Sequence, residues 1–535
     1  MHQERASESP SCGQDSADPN RYDVVVIGGS LGGSSAATLV KRRLPEARIL
    51  VVEMREQFPH KVGEATVEMS ALFLHRVLQQ YDHLSREHLP KHGLRYWFTD
   101  GSARDLSKMT EIGPRDAPKL PSFQLDRSKF DQHCLEVAED LGVEVARPAR
   151  VRSLELGWPE SRLVVSAESG TREVTARWVI DASGRHAVVA RNKGLLEHTK
   201  EHPVAASWGR WHGALDLDSH AALGDADEPR LPDIAASRRL ATNHFCGRGW
   251  WSWVIPLSNG KTSIGVVYNK ELFELPGEGP RKARYEAFVR SQPGLSQLVE
   301  GAELDLDDTL SYAHLPYRSS QYMDRGWALV GDAASFMDPY YSPGLDHLAI
   351  STLATVDLIA DDLAGQLGGE PLAETELMRR VVHHNEAFDR SYRRWIDALY
   401  IGKYEILGDA ELTASAFLVD TSLYYLGVVS PAYRDLQALR TPVFGAALPQ
   451  ATVAYKLARL FNRRLQALAR KAQRRGTYGA RNAGWTLLVP SFALGRGSVS
   501  PLLRGLRLWL RVELRNLLPV REASPAASPA EAQSP

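Results

Sequence analysis

Two stretches of this chain hold residue types that can do chemistry at a bound ligand. In WALVGDAASFMDPYYSPGLDH, from Trp327 to His347, Ala328-Leu329-Val330 reads as a short buried parallel strand. Gly331-Asp332 ends it, which sets a carboxylate just past the carboxyl end of a strand, where open α/β sheets bind ligands. Such an Asp can accept a hydrogen bond from a sugar hydroxyl, and the turn behind it can offer backbone N–H groups to an anion. The apolar spacing after His347 predicts a helix, which Asp332 could equally cap. The second stretch opens the fold. Tyr22 to Ile27 reads as a strand, Gly28-Gly29-Ser30-Leu31-Gly32-Gly33 as a tight loop, Ser34 to Arg43 as a helix, and Ile49 to Val52 as the next strand, ending at Glu53. That is a βαβ unit with a dinucleotide fingerprint: Gly28 makes the turn, Gly33 lets helix and strand pack closely, and Glu53 stands where an acid binds ribose hydroxyls. Ser30 takes the place of the middle glycine, altering the backbone's approach to a pyrophosphate.

The elements that position these residues need room. At 535 residues the chain exceeds one ordinary core, and its 43% apolar and 24% charged content is that of a globular protein. Cys12, Cys134 and Cys246 are widely spaced and form no CxxC, which argues against a disulfide framework or zinc site and points to a reducing cytoplasm. No uninterrupted apolar run of bilayer length is evident, nor a signal-peptide core. Residues 1–20 and 521–535 read as a disordered lead and tail.

Three further elements follow the fingerprint in order. Gln124-Leu-Asp-Arg127 leads into a helix with Arg127 within reach of a phosphate. Trp178-Val-Ile-Asp181 ends in the tight turn Ala-Ser-Gly184-Arg185, and Gly331-Asp332 comes last. In this order they resemble the FAD-binding fold of aromatic hydroxylases and flavin-dependent halogenases, from about Tyr22 to about Ile350. Four stretches resemble the halogenases in particular: Trp251-Ser-Trp253-Val-Ile255-Pro256; the loop with Phe336, Pro339, Ser342 and Gly344; Lys61-Val-Gly63-Glu64-Ala-Thr66; and Lys91-His-Gly93-Leu-Arg-Tyr-Trp97.

The resemblance implies an α/β fold: a Rossmann-like FAD-binding domain over residues 21–190 and 310–365, an inserted β-rich substrate domain over 191–309, and a mainly helical C-terminal region over 366–520. It implies that reduced FAD, oxygen and halide yield hypohalous acid, with the flavin carrying the hard step. FAD would be held by Gly28, Gly29, Ser30, Gly33, Glu53, Arg127, Asp332 and Gly344, and halide by the loop of Pro339, Ser342 and Gly344. Lys91 would deliver the halogen and Glu64 would orient it or accept a proton. Trp251 and Trp253 share one strand face toward a substrate pocket. By themselves, Lys91 after Leu89-Pro90 reads as a surface lysine and Glu64 as a helix-start carboxylate. Pro343 departs from the family, because proline has no N–H to offer the halide. A flavin monooxygenase or dehydrogenase on the same scaffold is the alternative.

No second fingerprint is present, so a separate flavin reductase is the expected source of reduced FAD. The expected substrate is a small molecule or a carrier-tethered group, and no nucleic-acid partner is expected. Aromatic residues Trp208, Trp211, Phe245 and Trp250 fit either core or pocket. Lys456 to Arg475 is basic without an acid, and Pro501 to Pro519 alternates leucines with arginines. That is the composition of a basic amphipathic surface for an anionic membrane or acidic carrier, or of a docked helix pair with a solvated arginine face.

Overall fold

The computed structural model describes residues 18–101, 105–219, 234–370 and 372–517. Expectations for the lead and tail thus fall almost wholly outside the described residues, as do Cys12 and Pro519. The run of Val24, Val25 and Val26 is wholly buried, as a parallel strand covered on both faces must be. Val24 and Val26 pack with Ala36 and Val40 of the helix Leu31–Arg43 and with Ile359 of the helix Pro343–Gln366. Val25 and Ile27 point the other way, to Leu163 and Val165 of an antiparallel strand. Strand alternation thus splits one apolar run between two cores.

This eight-stranded sheet has the order Met323–Asp324, Trp327–Leu329, Gly170–Asp181, Arg21–Ile27, Ile49–Val52, Glu144–Ala146, with Ala149–Glu155 and Ser161–Ala167 added beside Gly170–Asp181. Its register sets Ile27 beside both Val52 and Asp181, and Asp181 beside Leu329. Four strands therefore end together, and the loops that follow them are gathered at one edge.

A nine-stranded sheet stands beyond that edge. It contains a hairpin in which Trp250–Pro256 turns through Asn259-Gly260 into Lys261–Asn269, with Gly260 at φ +82°. Its extent is not what the sequence suggested. Besides strands from 204 to 312, it recruits Leu94–Phe98 and Thr110–Pro114, and at one edge Thr486–Val489 pairs in parallel with Thr110–Pro114. The β-rich layer is thus built from three separated parts of the chain, because the pairing edges are supplied by long-range contacts. Trp211, Phe245 and Trp250 pack within this layer.

The last third is helical. Helix Pro343–Gln366 begins earlier than the spacing after His347 implied, with Pro343 in its first turn, where a missing N–H costs nothing. The continuous helical stretch Ala410–Arg434 is long and apolar enough to cross a bilayer by length and composition, with a mean hydropathy of 1.4 over 18 residues, but 67% of that window is buried. The burial is against protein: Gly505 of the helix Val499–Leu517 lets the two backbones close, since a Cβ there would lie 2.9 Å from Leu418 Cβ. The basic segment becomes the helices Pro449–Arg474 and Val499–Leu517.

Candidate active site

The gathered loops enclose a cavity of about 650 Å³ that runs from Gly28, Ser30 and Glu53 past Arg127 and Gly184 to Asp332, and on to Trp251, Trp253 and the 336–345 loop. Gly28 sits at φ +99°, and a Cβ on it would lie 2.7 Å from the Ala182 carbonyl oxygen. The glycine is needed for the meeting of two strand-end turns more than for the approach of a ligand. A Cβ on Gly33 would overlap the Gly28 carbonyl at 1.8 Å, so helix and strand do pack as closely as the motif requires. The N–H groups of Ser30, Leu31 and Gly32 have no acceptor among the described residues, leaving an open helix N-terminus for a phosphate.

Around that terminus the sequence reading was incomplete. Arg127 does line the cavity, but Asp131 accepts from its Nε (2.8 Å) and Nη2 (3.2 Å), and Gly63 accepts from its Nη1. Asp131 also takes a bond from Ser30 Oγ (2.8 Å) and an ion pair from Lys61. The anchor is therefore a Ser30–Lys61–Arg127–Asp131 cluster, and Lys61, unassigned from sequence, is its most exposed cation. Glu53 accepts from the N–H groups of Gly29 (2.7 Å) and Arg55 (2.9 Å), bracing the loop it was expected to serve while its carboxylate borders the cavity. At the far end Asp332 borders the same cavity, and its carboxylate meets no donor among the described residues. An open helix N-terminus and an unpaired carboxylate lining one cavity suit the pyrophosphate and ribityl parts of FAD.

The 336–345 loop closes this cavity toward the second sheet. Ser342 takes a left-handed conformation, φ +54°, and starts the helix at Pro343. Pro343 has no N–H, but those of Gly344 and Leu345 meet no acceptor among the described residues. Behind the loop, Asp338 is fixed by His202 Nε2 (2.7 Å), Tyr404 OH (2.8 Å) and the Tyr340 N–H (2.9 Å). Trp251 and Trp253 do share one face, but they line the flavin cavity, and their indole N–H groups donate to Tyr404 and Ser263. Neither borders the smaller cavity that holds Lys91.

Lys91 lies in a second cavity of about 110 Å³, lined by Trp395, Leu399, Phe417, Tyr424, Tyr425 and Phe492. It is 1% exposed, not the surface lysine it resembles when read alone, and its Nζ donates to the Thr66 carbonyl at 2.7 Å. Burial pushes its pKa down to about 8, while Glu68 and Asp346 pull the other way. Glu64 is not its partner. That carboxylate borders the flavin cavity and accepts from Arg210 Nη2 at 2.7 Å, and burial raises its pKa against the pull of Arg210. Glu68, Asp346 and Asp420 line the Lys91 cavity; of these Asp346 accepts from the Ser70 N–H (2.8 Å) and from Tyr424 OH (2.7 Å), and burial pushes its pKa up to about 7. The spacing of Asp346, four residues beyond Ser342 on a helix, was the one sequence signal for it. Tyr424 gave none.

Close enough to Lys91 to feel its charge stands His244. It is 1% exposed, borders the flavin cavity, and packs 4.8 Å from Trp251 and 5.7 Å from Tyr340 between ring centroids. Neither ring nitrogen has a hydrogen-bond partner among the described residues, and Nδ1 is wholly buried. A buried polar atom left unpaired costs about 1–3 kcal/mol.

A Rossmann-type sheet with this cluster, an unpaired strand-end carboxylate and a second cavity around a buried lysine defines an FAD-dependent oxidoreductase. The family model described as Tryptophan halogenase matches residues 23–105 and 103–368, and the chain belongs to that family of flavin-dependent halogenases. A flavin-dependent halogenase of Dictyostelium discoideum is 28% identical over 455 residues, covering 77% of this chain and 71% of its own. The 1H-pyrrole-2-carbonyl-[peptidyl-carrier protein] chlorinase of Pseudomonas fluorescens is 26% identical, covering 63% and 76%. Among solved structures, halogenase PltM in complex with phloroglucinol and FAD has the same fold, with TM-score 0.69, 18% identity, and coverage of 92% of this chain and 96% of that one.

Proposed function

We propose that this halogenase acts on an electron-rich aromatic group of single-ring size, presented in the Lys91 cavity. The observation that carries the reading is Lys91 itself, an almost wholly buried ammonium in an aromatic-lined space. An apolar cavity of about 150 Å³ holds benzene, and one of about 110 Å³ suits one ring entering from an open side. Bound reduced FAD supplies the oxygen chemistry that turns halide into hypohalous acid. The chain's residues do the rest. Gly344 and Leu345 N–H groups hold the halide, and Lys91 holds the hypohalous acid beside the ring. As the carbon–halogen bond forms and the oxygen–halogen bond breaks, the leaving hydroxide takes a proton from the Lys91 ammonium to depart as water, and Asp346 accepts the ring proton. A separate reductase supplies the reduced flavin, and the ring is free or carrier-tethered.

A panel of phenols and pyrroles, incubated with a flavin reductase, FAD, oxygen and chloride or bromide, tests this by mass spectrometry. One-ring substrates should gain one halogen mass, and Lys91→Ala should lower product at least about 100-fold, the scale of a positioned proton donor. Hydroxylated product independent of halide would instead favour the monooxygenase reading.

A second surface supports an anionic partner, a bilayer or an acidic carrier. Leu457 (60%) and Leu460 (68%) on one basic helix and Leu510 (51%) and Leu514 (55%) on the other are exposed among arginines.

A further inference from the structure

The oxidant made at the halide loop has to reach Lys91, and the two lie in different cavities with only Pro343 bordering both. Four observations converge on the wall between them. His244 faces the flavin cavity from the strand Thr242–Gly247, which pairs in parallel with Leu94–Phe98 just beyond Lys91. Its ring lies 5.0 Å from Tyr96 and stacks at 28° on Tyr340 of the halide loop. Neither of its ring nitrogens has a hydrogen-bond partner among the described residues, whereas His202 and Tyr404, which brace Asp338 behind the loop, are paired. Thr242 Oγ1, two residues earlier on the same strand and also bordering the flavin cavity, is likewise buried without a partner.

We propose that His244 is the relay residue for hypohalous acid between the halide loop and Lys91. This rests on the halogenase reading of the site. A neutral imidazole has one acceptor and one N–H donor, which match the O–H and the oxygen of hypohalous acid. The ring therefore holds the oxidant in passage without a covalent step. Burial and then the Lys91 charge keep the imidazole neutral, its pKa lowered to about 3, so both functions persist across the working pH range. The imidazole compensates its unpaired nitrogens only while the oxidant passes. In its absence an apolar wall would offer no hold, and hypohalous acid would escape toward the open side of the flavin cavity.

The test is the partition of oxidised halide. FAD-loaded wild type, His244→Leu and His244→Gln are supplied with reductase, oxygen, bromide and a phenol that wild type halogenates, with a soluble diketone scavenger outside. Halogenated phenol and halogenated scavenger are counted per reduced FAD consumed, and FAD stoichiometry reports on folding. His244→Leu should lower the ratio of phenol product to scavenged halogen about tenfold, and His244→Gln, which keeps a donor and an acceptor, should recover most of it. A ratio within twofold of wild type in His244→Leu overturns the relay, as does an equal loss in the Gln and Leu variants. Wild type that oxidises no bromide overturns the halogenase reading itself, and the relay with it.

Discussion

Lys91 and Asp346 are two ionisable groups held by burial in their less soluble direction, the base weakened and the acid weakened with it. Their linkage to stability has opposite windows. Lys91 binds fewer protons folded than unfolded, so stability rises with pH from about 8 toward 10.5. Asp346 binds more protons folded than unfolded, so stability falls as pH rises from 3.8 to about 7. Thermal melts of wild type and Lys91→Met should therefore converge in favour of wild type as pH is raised from 7 to 10. A melting-temperature difference that stays constant across that range would mean that Lys91 is charged and at ease. At this scale the sequence spoke unevenly. Lys91, Glu53 and Asp332 were legible because each sits at a fixed interval from a strand end or a glycine. The partner of Glu64 was not legible, because Arg210 lies 146 residues away.

The element that matters most is the turn between strand and helix, which occurs twice. At the first, Gly28 and Gly33 are both closed to side chains, so Gly28→Val should raise the FAD dissociation constant at least about tenfold by displacing the Ala182 turn as well as its own. Titration of flavin fluorescence reads this, and unchanged affinity would refute the assignment. At the second, Pro343 opens the helix. Pro343→Ala adds one N–H next to those of Gly344 and Leu345 and should lower the halide KM about fivefold, the yield of about 1 kcal/mol from one hydrogen bond. A rise in KM would show that proline's fixed backbone matters more than the donor. Both turns could be read from spacing. Helix starts could not be placed to the residue, since Pro343 reads as a breaker until it is seen at a first turn.

At the scale of the whole molecule, the C-terminal helices are less free than their composition implied. Arg459 and Arg463 pair with Asp397, Arg464 with Glu513, Arg470 with Glu405 and Arg515 with Glu411. Much of the basic run is thus balanced by acids elsewhere in the chain, which no local window of sequence can show. The exposed leucines are not balanced in this way. Replacing Leu457, Leu460, Leu510 and Leu514 together by Gln should leave melting temperature nearly unchanged and weaken sedimentation with anionic vesicles, or capture by an acidic carrier protein, severalfold. Removing the helices outright is a poorer test, because Asn462 accepts from buried Lys403 and Phe492 lines the Lys91 cavity.

The strand Thr486–Val489 also sets a timetable. The nucleotide-binding sheet is complete once Leu329 has left the ribosome, but the edge of Thr110–Pro114 waits for a partner roughly 160 residues later. At ~5–20 residues per second of synthesis that wait is on the order of 10–30 s. Once the 336–345 loop and the helix after it have followed, the nascent enzyme has a flavin cavity, an open strand edge and no closed chamber around Lys91 for the rest of that wait. A newborn chain of this kind is a client for edge-binding chaperones, and oxidant made on it before the last strand docks would be released into the cell.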